Sequence, residues 1–136
     1  MSNDIQRGWI AVDLDGTLAL YNDASGIEVI GPPIQKMLMR VQRWLAEGSD
    51  VRIFTARVYP LPLIEVDDNL DTIFSTDREN FARIQAIKIR EWCHFHLGKS
   101  LPITCQKDYM MAQLWDDRCV QVIPNTGIRA DGVFHA

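Results

Sequence analysis

Trp9-Ile10-Ala11-Val12-Asp13-Leu14-Asp15-Gly16-Thr17 decides how the rest of the chain is read. Residues 9–12 are a short apolar run with β-branched members, followed at once by acidic and glycine signals. Such a run reads as a buried strand. Asp13 and Asp15 then stand beyond its carboxyl end, where α/β sheets form their ligand sites. Gly16 lets the backbone turn sharply at that point.

Outward from this strand, residues 18–31 carry Asn22, Asp23, Ser25, Gly26 and Gly31 around Ile27, Val29 and Ile30, and read as a loop or small hairpin flap. A helix is expected next, with Pro33 in its first turn and Gly48 just past its end. Between them Ile34, Met37, Leu38, Val41, Trp44 and Leu45 recur at helical spacing. Val51-Arg52-Ile53-Phe54-Thr55 reads as a second strand. A helix between two buried strands is the pattern of a βαβ unit and so of a parallel sheet.

Residues 58–75, with Pro60, Pro62 and the acidic trio Asp67, Asp68 and Asp71, form an irregular insertion and a solvated loop. Thr76-Asp77-Arg78-Glu79 has the form of a capping box. It opens a second long helix in which Phe81, Ile84, Ile87, Trp92 and Phe95 recur, ending near Gly98. Residues 101–104, 112–115 and 120–123 read as three further strands, the last stopped by Pro124 and Asn125. The expectation is an α/β fold with a central parallel sheet of about five strands.

At 136 residues, with 47% apolar and 24% charged residues, the chain suits a single domain over 1–136. A net charge of −4 argues against stable nucleic-acid binding through clustered Lys and Arg, though not against a small phosphorylated ligand. Three cysteines, Cys93, Cys105 and Cys119, do not make a disulfide framework. The first residues lack an apolar stretch of signal-peptide length, and no segment approaches the ~20 apolar residues that cross a bilayer. A soluble protein of the reducing cytoplasm, without membrane partners, is expected.

Two carboxylates two residues apart can divide the work of phosphoryl transfer. One attacks as nucleophile; the other protonates the leaving oxygen and then activates water. Two anions facing an anionic substrate need a cation, and hard oxygen donors select Mg²⁺. A second acidic pair, Asp116-Asp117, follows the 112–115 strand and would reach the same metal if that strand lay beside the first. Thr55 ends its strand with a hydroxyl and nearby N–H groups for a phosphoryl oxygen. Lys107 offers a point charge, and is better placed than Lys88 or Lys99.

Asp-x-Asp-Gly-Thr, a hydrophobic strand ending in Thr, then a Lys, then Asp-Asp, in that order from Trp9 to Ile123, resembles the haloacid dehalogenase-like superfamily. The resemblance implies a Rossmann-like three-layer sandwich with the first strand central, and a phosphoaspartyl intermediate. It implies Asp13 as nucleophile and Mg²⁺ ligand. Asp15 becomes general acid/base, lending its backbone carbonyl to the metal. Thr55 and Lys107 bind the phosphate, and Asp116 and Asp117 complete the metal site, Asp116 being favoured as the direct ligand. An Asp at position 15 is the phosphatase-like choice. Phe54-Thr55-Ala56-Arg57 and Leu114-Trp115-Asp116-Asp117-Arg118 are similar to small members without a full cap domain, including nucleotidase-like, nucleic-acid-end phosphatase-like and phage-type proteins.

The expected activity is thus Mg²⁺-dependent phosphomonoester hydrolysis, on a nucleotide or nucleic-acid end. Phosphotransfer through the same intermediate, and a non-catalytic metal-binding module, are the alternatives. Arg57 is read as a substrate contact or a structural ion pair, and Arg118 as an ion-pair partner of the acidic pair. His94 and His96 lie on different sides of their helix and lack a second ligand pair, so no zinc site is expected. Cys105 and Cys119 are expected to be buried, and Trp44 and Trp92 to belong to the core.

Overall fold

β1 (Trp9–Asp13) forms where the apolar run predicts it, and Trp9, Ile10, Ala11 and Val12 are all buried. Side chains of a strand alternate between faces, so a strand buried along its length is covered on both sides, as in parallel sheets. The computed structural model describes residues 8–26 and 28–133, apart from the side chain of Ser25. The amino-terminal stretch read for a signal segment, and Ile27, lie outside the described residues.

The other elements are helix α1 (Gln35–Ala46), β2 (Asp50–Phe54), helix α2 (Asp77–Leu97), β3 (Ile103–Thr104) and β4 (Met111–Trp115). They make an α/β fold whose sheet has the order β3-β2-β1-β4, with every pairing parallel. β1 is therefore an inner strand, and β4 one edge. Among the described residues the sheet has four strands, not about five. The run 120–123 folds back on itself: Asn125 and Gly127 take positive φ, the Ile123 N–H donates to the Ile128 carbonyl at 2.8 Å, and the Ala130 N–H donates to the Gln121 carbonyl at 2.8 Å. Local pairing satisfies these backbone groups without the loop closure a fifth sheet strand requires. Val120, Val122 and Ile123 are left exposed.

α1 starts two residues after Pro33 rather than on it. Pro33 instead belongs to a short antiparallel pairing with the flap, in which the Leu20 N–H donates to the Pro32 carbonyl and the Ile34 N–H to the Leu18 carbonyl, both at 2.8 Å. The flap also holds a 3-10 turn (Asp23–Ser25) capped by the Asn22 side chain. Met37, Leu38 and Val41 of α1 are buried, with Ile34, Trp44 and Leu45 packed against the core.

α2 is capped as its sequence predicts: the Thr76 hydroxyl oxygen accepts from the Glu79 N–H and its O–H donates to the Glu79 carboxylate at 2.6 Å. Gly98 closes the helix in the left-handed conformation, a position suited to a residue without a Cβ. The buried face is not the one its large apolar residues suggest. Ala82, Gln85, Ala86, Ile89, Trp92 and Cys93 face inward, while Ile84 and Phe95 are exposed, Phe95 at 85%. Small alanines let the helix approach closely, and that contact decides its rotation.

The insertion after Val58 docks at the other edge of the sheet. Leu61 and Ile64 are buried, and Ile64 exchanges two backbone hydrogen bonds with Ile103 of β3, at 2.8 and 2.9 Å. Beyond that bridge, residues 65–75 carry no helix or strand. No helix among the described residues is long and apolar enough to cross a membrane.

Candidate metal and phosphate site

Register builds the site. Asp13 of β1 lies opposite Phe54 of β2, which puts Thr55 one residue further along. On the other side Val12 lies opposite Trp115 of β4, so Asp13 and Asp116 are the next residues on adjacent parallel strands. Neighbouring strands are about 4.8 Å apart, which brings carboxylates a hundred residues distant in sequence to one place. Asp13, Asp116 and Asp117 each offer an oxygen within 4.8 Å of the others, the one such convergence of three potential ligands among the described residues.

The turn after β1 is built for this approach. Gly16 has φ +87°, a conformation costly for any residue with a Cβ. The Asp117 carboxylate also lies where a Cβ on Gly16 would stand. Glycine is thus required by the backbone angle, and a Cβ there would make the exposed Asp117 carboxylate shift.

Electrostatically the cluster is unsatisfied. The Asp13 carboxyl is pushed up to about 7, first by burial, then by the charge of Asp116 and by the hydrogen bond and charge of Asp117. The Thr17 hydroxyl, donating to Asp13 Oδ2 at 3.3 Å, works the other way. Three carboxylates this close fit a hard divalent cation such as Mg²⁺, which would relieve the repulsion felt by Asp13. Both members of the Asp116-Asp117 pair are within reach. The Asp116 carboxylate is also oriented by the Arg118 backbone N–H at 2.7 Å.

The Asp15 carboxylate is not in this cluster. Both its oxygens accept from the Arg57 guanidinium, Nε to Oδ2 at 2.7 Å and Nη2 to Oδ1 at 2.9 Å. Arg57 also donates from Nη1 to Gln85 Oε1 at 2.8 Å and from Nη2 to the Val29 carbonyl at 3.2 Å. Of the two roles sequence leaves open for Arg57, the geometry is that of an ion pair with Asp15. Thr55 is buried and its hydroxyl oxygen accepts from the Arg57 backbone N–H at 3.1 Å; its own O–H has no acceptor among the described residues.

A cavity of about 440 Å³ opens over these groups, lined by Asp13, Asp15, Thr55, Arg57 and Asp116 and rimmed by Phe54, Arg78, Phe81 and Arg118. Arg78 is held at the mouth against the rings of Phe81 and Tyr59, at 5.3 and 5.7 Å from their centroids, and donates to the Ala56 carbonyl. Lys107 is exposed on the connection before β4 and does not line this cavity. Arg118 forms no ion pair with Asp116 or Asp117; its side chain lines the cavity instead. Sequence reading missed Arg78, Phe81 and Gln85, all on α2. No sequence signal marks them, because packing sets which face of that helix turns toward the cavity. A wider groove of about 790 Å³ lies between residues 68–71 and the outer side of α2, where Glu91 and His94 stand, with no comparable convergence of ligands.

Of the cysteines, all free, Cys93 is buried and its thiol pushed up to about 12 by that burial. Cys105 is half-buried and Cys119 exposed, contrary to expectation. Cys119 follows the edge strand into the exposed 120–133 tail, where nothing packs over it.

No protein-family model matches this chain, and neither do curated proteins or solved structures.

Proposed function

We propose that this protein is a Mg²⁺-dependent phosphomonoester hydrolase working through a phosphoaspartate on Asp13. The observation that carries the reading is the meeting of Asp13, Asp116 and Asp117 at the carboxyl end of a parallel sheet, beside a cavity lined by Thr55 and arginines. An acidic cluster is costly to assemble without a cation, and a cation-rimmed cavity next to it suits an anionic substrate.

Asp13, Asp116 and Asp117 would hold Mg²⁺, which would supply the positive charge that lets an anionic phosphate approach these carboxylates. An Asp13 oxygen attacks phosphorus in line, and the bond from phosphorus to the leaving oxygen breaks. Asp15, taking a proton from solvent on the side that faces the cavity, passes it to that oxygen, so an alcohol departs. A water molecule then attacks phosphorus, returning a proton to Asp15, and the bond to Asp13 breaks to release inorganic phosphate. The Thr55 hydroxyl holds a phosphoryl oxygen. In this reading Arg78 and Arg118, ahead of Lys107, supply the charge that faces the substrate. Catalysis is mostly positioning and charge neutralisation.

The substrate class is a small phosphomonoester, with a nucleotide or nucleic-acid end first among them. The Arg78–Phe81 pair at the rim, which offers a cation and a ring to a base-bearing substrate, supports that order. Three free cysteines suit a reducing cytoplasm. The test is phosphate release from an aryl phosphate with Mg²⁺, for the wild type and Asp13→Asn. Abolished turnover in the variant is expected; equal rates overturn the reading.

A further inference from the structure

Gln85 is 1% exposed, a polar side chain on the inward face of α2 among alanines and Ile89. A buried amide is costly unless it is hydrogen-bonded, and here its Oε1 takes Nη1 of Arg57 at 2.8 Å. Arg57 is itself almost wholly buried, its side chain 5% exposed against 24% for Asp15. A desolvated guanidinium–carboxylate pair is weak evidence for stability, because removing two charged groups from water offsets most of their attraction. The arrangement does have a clear geometric consequence.

A carboxylate on a turn is free to rotate. The planar fork of Arg57 takes both oxygens of Asp15 and so fixes their orientation. An arginine side chain is flexible too, and a fork orients its partner only if it is anchored elsewhere. Arg57 is anchored three ways: Nη1 to Gln85 on α2, Nη2 to the Val29 carbonyl of the flap, and its backbone N–H to the Thr55 hydroxyl. The outer side of Asp15 is left facing the cavity that Asp13 also lines.

We infer that Gln85 and Arg57 are positioning residues that aim the Asp15 carboxyl at the leaving oxygen, Gln85 acting through Arg57. The inference rests on the proposed role of Asp15 in proton transfer, and it removes Arg57 from the substrate contacts. Its consequence is specific. Aim at the leaving oxygen matters when that oxygen needs a proton to depart, as in alkyl phosphates. It matters little when the leaving group is already stable as an anion, as in 2,4-dinitrophenyl phosphate. Misplacement by about 1 Å lowers rates by up to a hundredfold, and general acid catalysis contributes roughly a hundred- to ten-thousandfold.

The experiment compares kcat/KM, which reports steps through leaving-group departure, for an alkyl phosphate and for 2,4-dinitrophenyl phosphate, both with Mg²⁺. In Gln85→Met, which keeps the volume and loses the acceptor, the alkyl-to-aryl ratio is expected to fall roughly ten- to a hundredfold. Gln85→Glu keeps an oxygen for Arg57 Nη1 and is expected to restore the ratio. A loss shared equally by both substrates in Gln85→Met means a merely structural residue and overturns the inference. If Gln85→Met does not fold, Arg57→Lys carries the same comparison: it keeps the charge, loses the fork, and must lower the ratio. A wild type without Asp13-dependent turnover of either substrate takes down the proposed function, and the inference with it. A wild type that turns over both, with Gln85 and Arg57 variants that leave the ratio untouched, takes down the inference alone.

Discussion

The two ends of the sheet treat an aspartate in opposite ways. Near the amino ends of β1 and β4, Asp108 accepts from the Trp9 indole N–H at 2.8 Å and from the Met110 backbone N–H at 2.8 Å, and it faces Arg52. These partners, the indole first, hold its carboxyl below the usual carboxylate range. At the carboxyl ends, Asp13 meets two further acids and loses solvent, and its carboxyl rises to about 7. One end has found partners for its charge within the chain. The other has gathered like charges. Unsatisfied charge in a cleft is a mark of function rather than of folding.

The strongest way to break this comparison is to remove the charge at the functional end. Asp13→Asn is expected to lower Mg²⁺-dependent phosphate release by at least about a thousandfold, as loss of a nucleophile does. Asp108→Asn is expected to leave turnover and its Mg²⁺ dependence unchanged. Comparable losses in the two variants would erase the distinction between the ends.

Metal binding sharpens it next. Mg²⁺ at about 100 times its dissociation constant should add about 2.7 kcal/mol to unfolding stability, read as a rise in melting temperature. Asp116→Asn and Asp117→Asn should each reduce that rise, and Asp108→Asn should not.

Proton binding gives a smaller effect with a definite sign. Asp13 holds its proton more tightly when folded, at about 7 against 3.8 for the ordinary carboxyl. Its contribution to stability is therefore fully present below pH 3.8 and lost as pH rises toward about 7. Other carboxylates overlay this trend, so the measurement is a difference: in metal-free buffer, Asp13→Asn should gain stability relative to the wild type as pH rises from 4 to 7. A constant difference would mean that the acidic cluster does not repel itself.

The smallest expected effect concerns thiols. Cys119 should react with a thiol reagent in the native protein, whereas Cys93, buried and with its thiol pushed up to about 12, should react only on unfolding. Labelling followed by mass analysis of peptides decides it.

Local signals carried much of the fold. The 9–13 strand, the Thr76 cap and Gly98 at the helix end are each set by residues close in sequence, so sequence reading found them. It failed where another pairing or packing competed. Residues 120–123 have the composition of a strand, but a turn through Asn125 and Gly127 pairs them with their own neighbours. On α2, hydrophobicity pointed to Ile84 and Phe95, while packing chose the face with Ala82 and Ala86. At the site, Asp13, Asp15, Thr55 and the Asp116-Asp117 pair were legible because their order follows strand ends. Arg78, Phe81 and Gln85 were not, because nothing near them in sequence marks which way that helix face turns.

Sequence alone determined the alternation of strand and helix, the acidic turn closed by Gly16, and the candidate ligands, because backbone propensity and turn chemistry act over a few residues. Tertiary structure alone decided that β4 lies beside β1, so that Asp116 and Asp117 join Asp13. It also decided that Arg57, anchored by Gln85, takes the Asp15 carboxylate. Both outcomes depend on strand order, register and helix rotation, which are set by how the whole core packs.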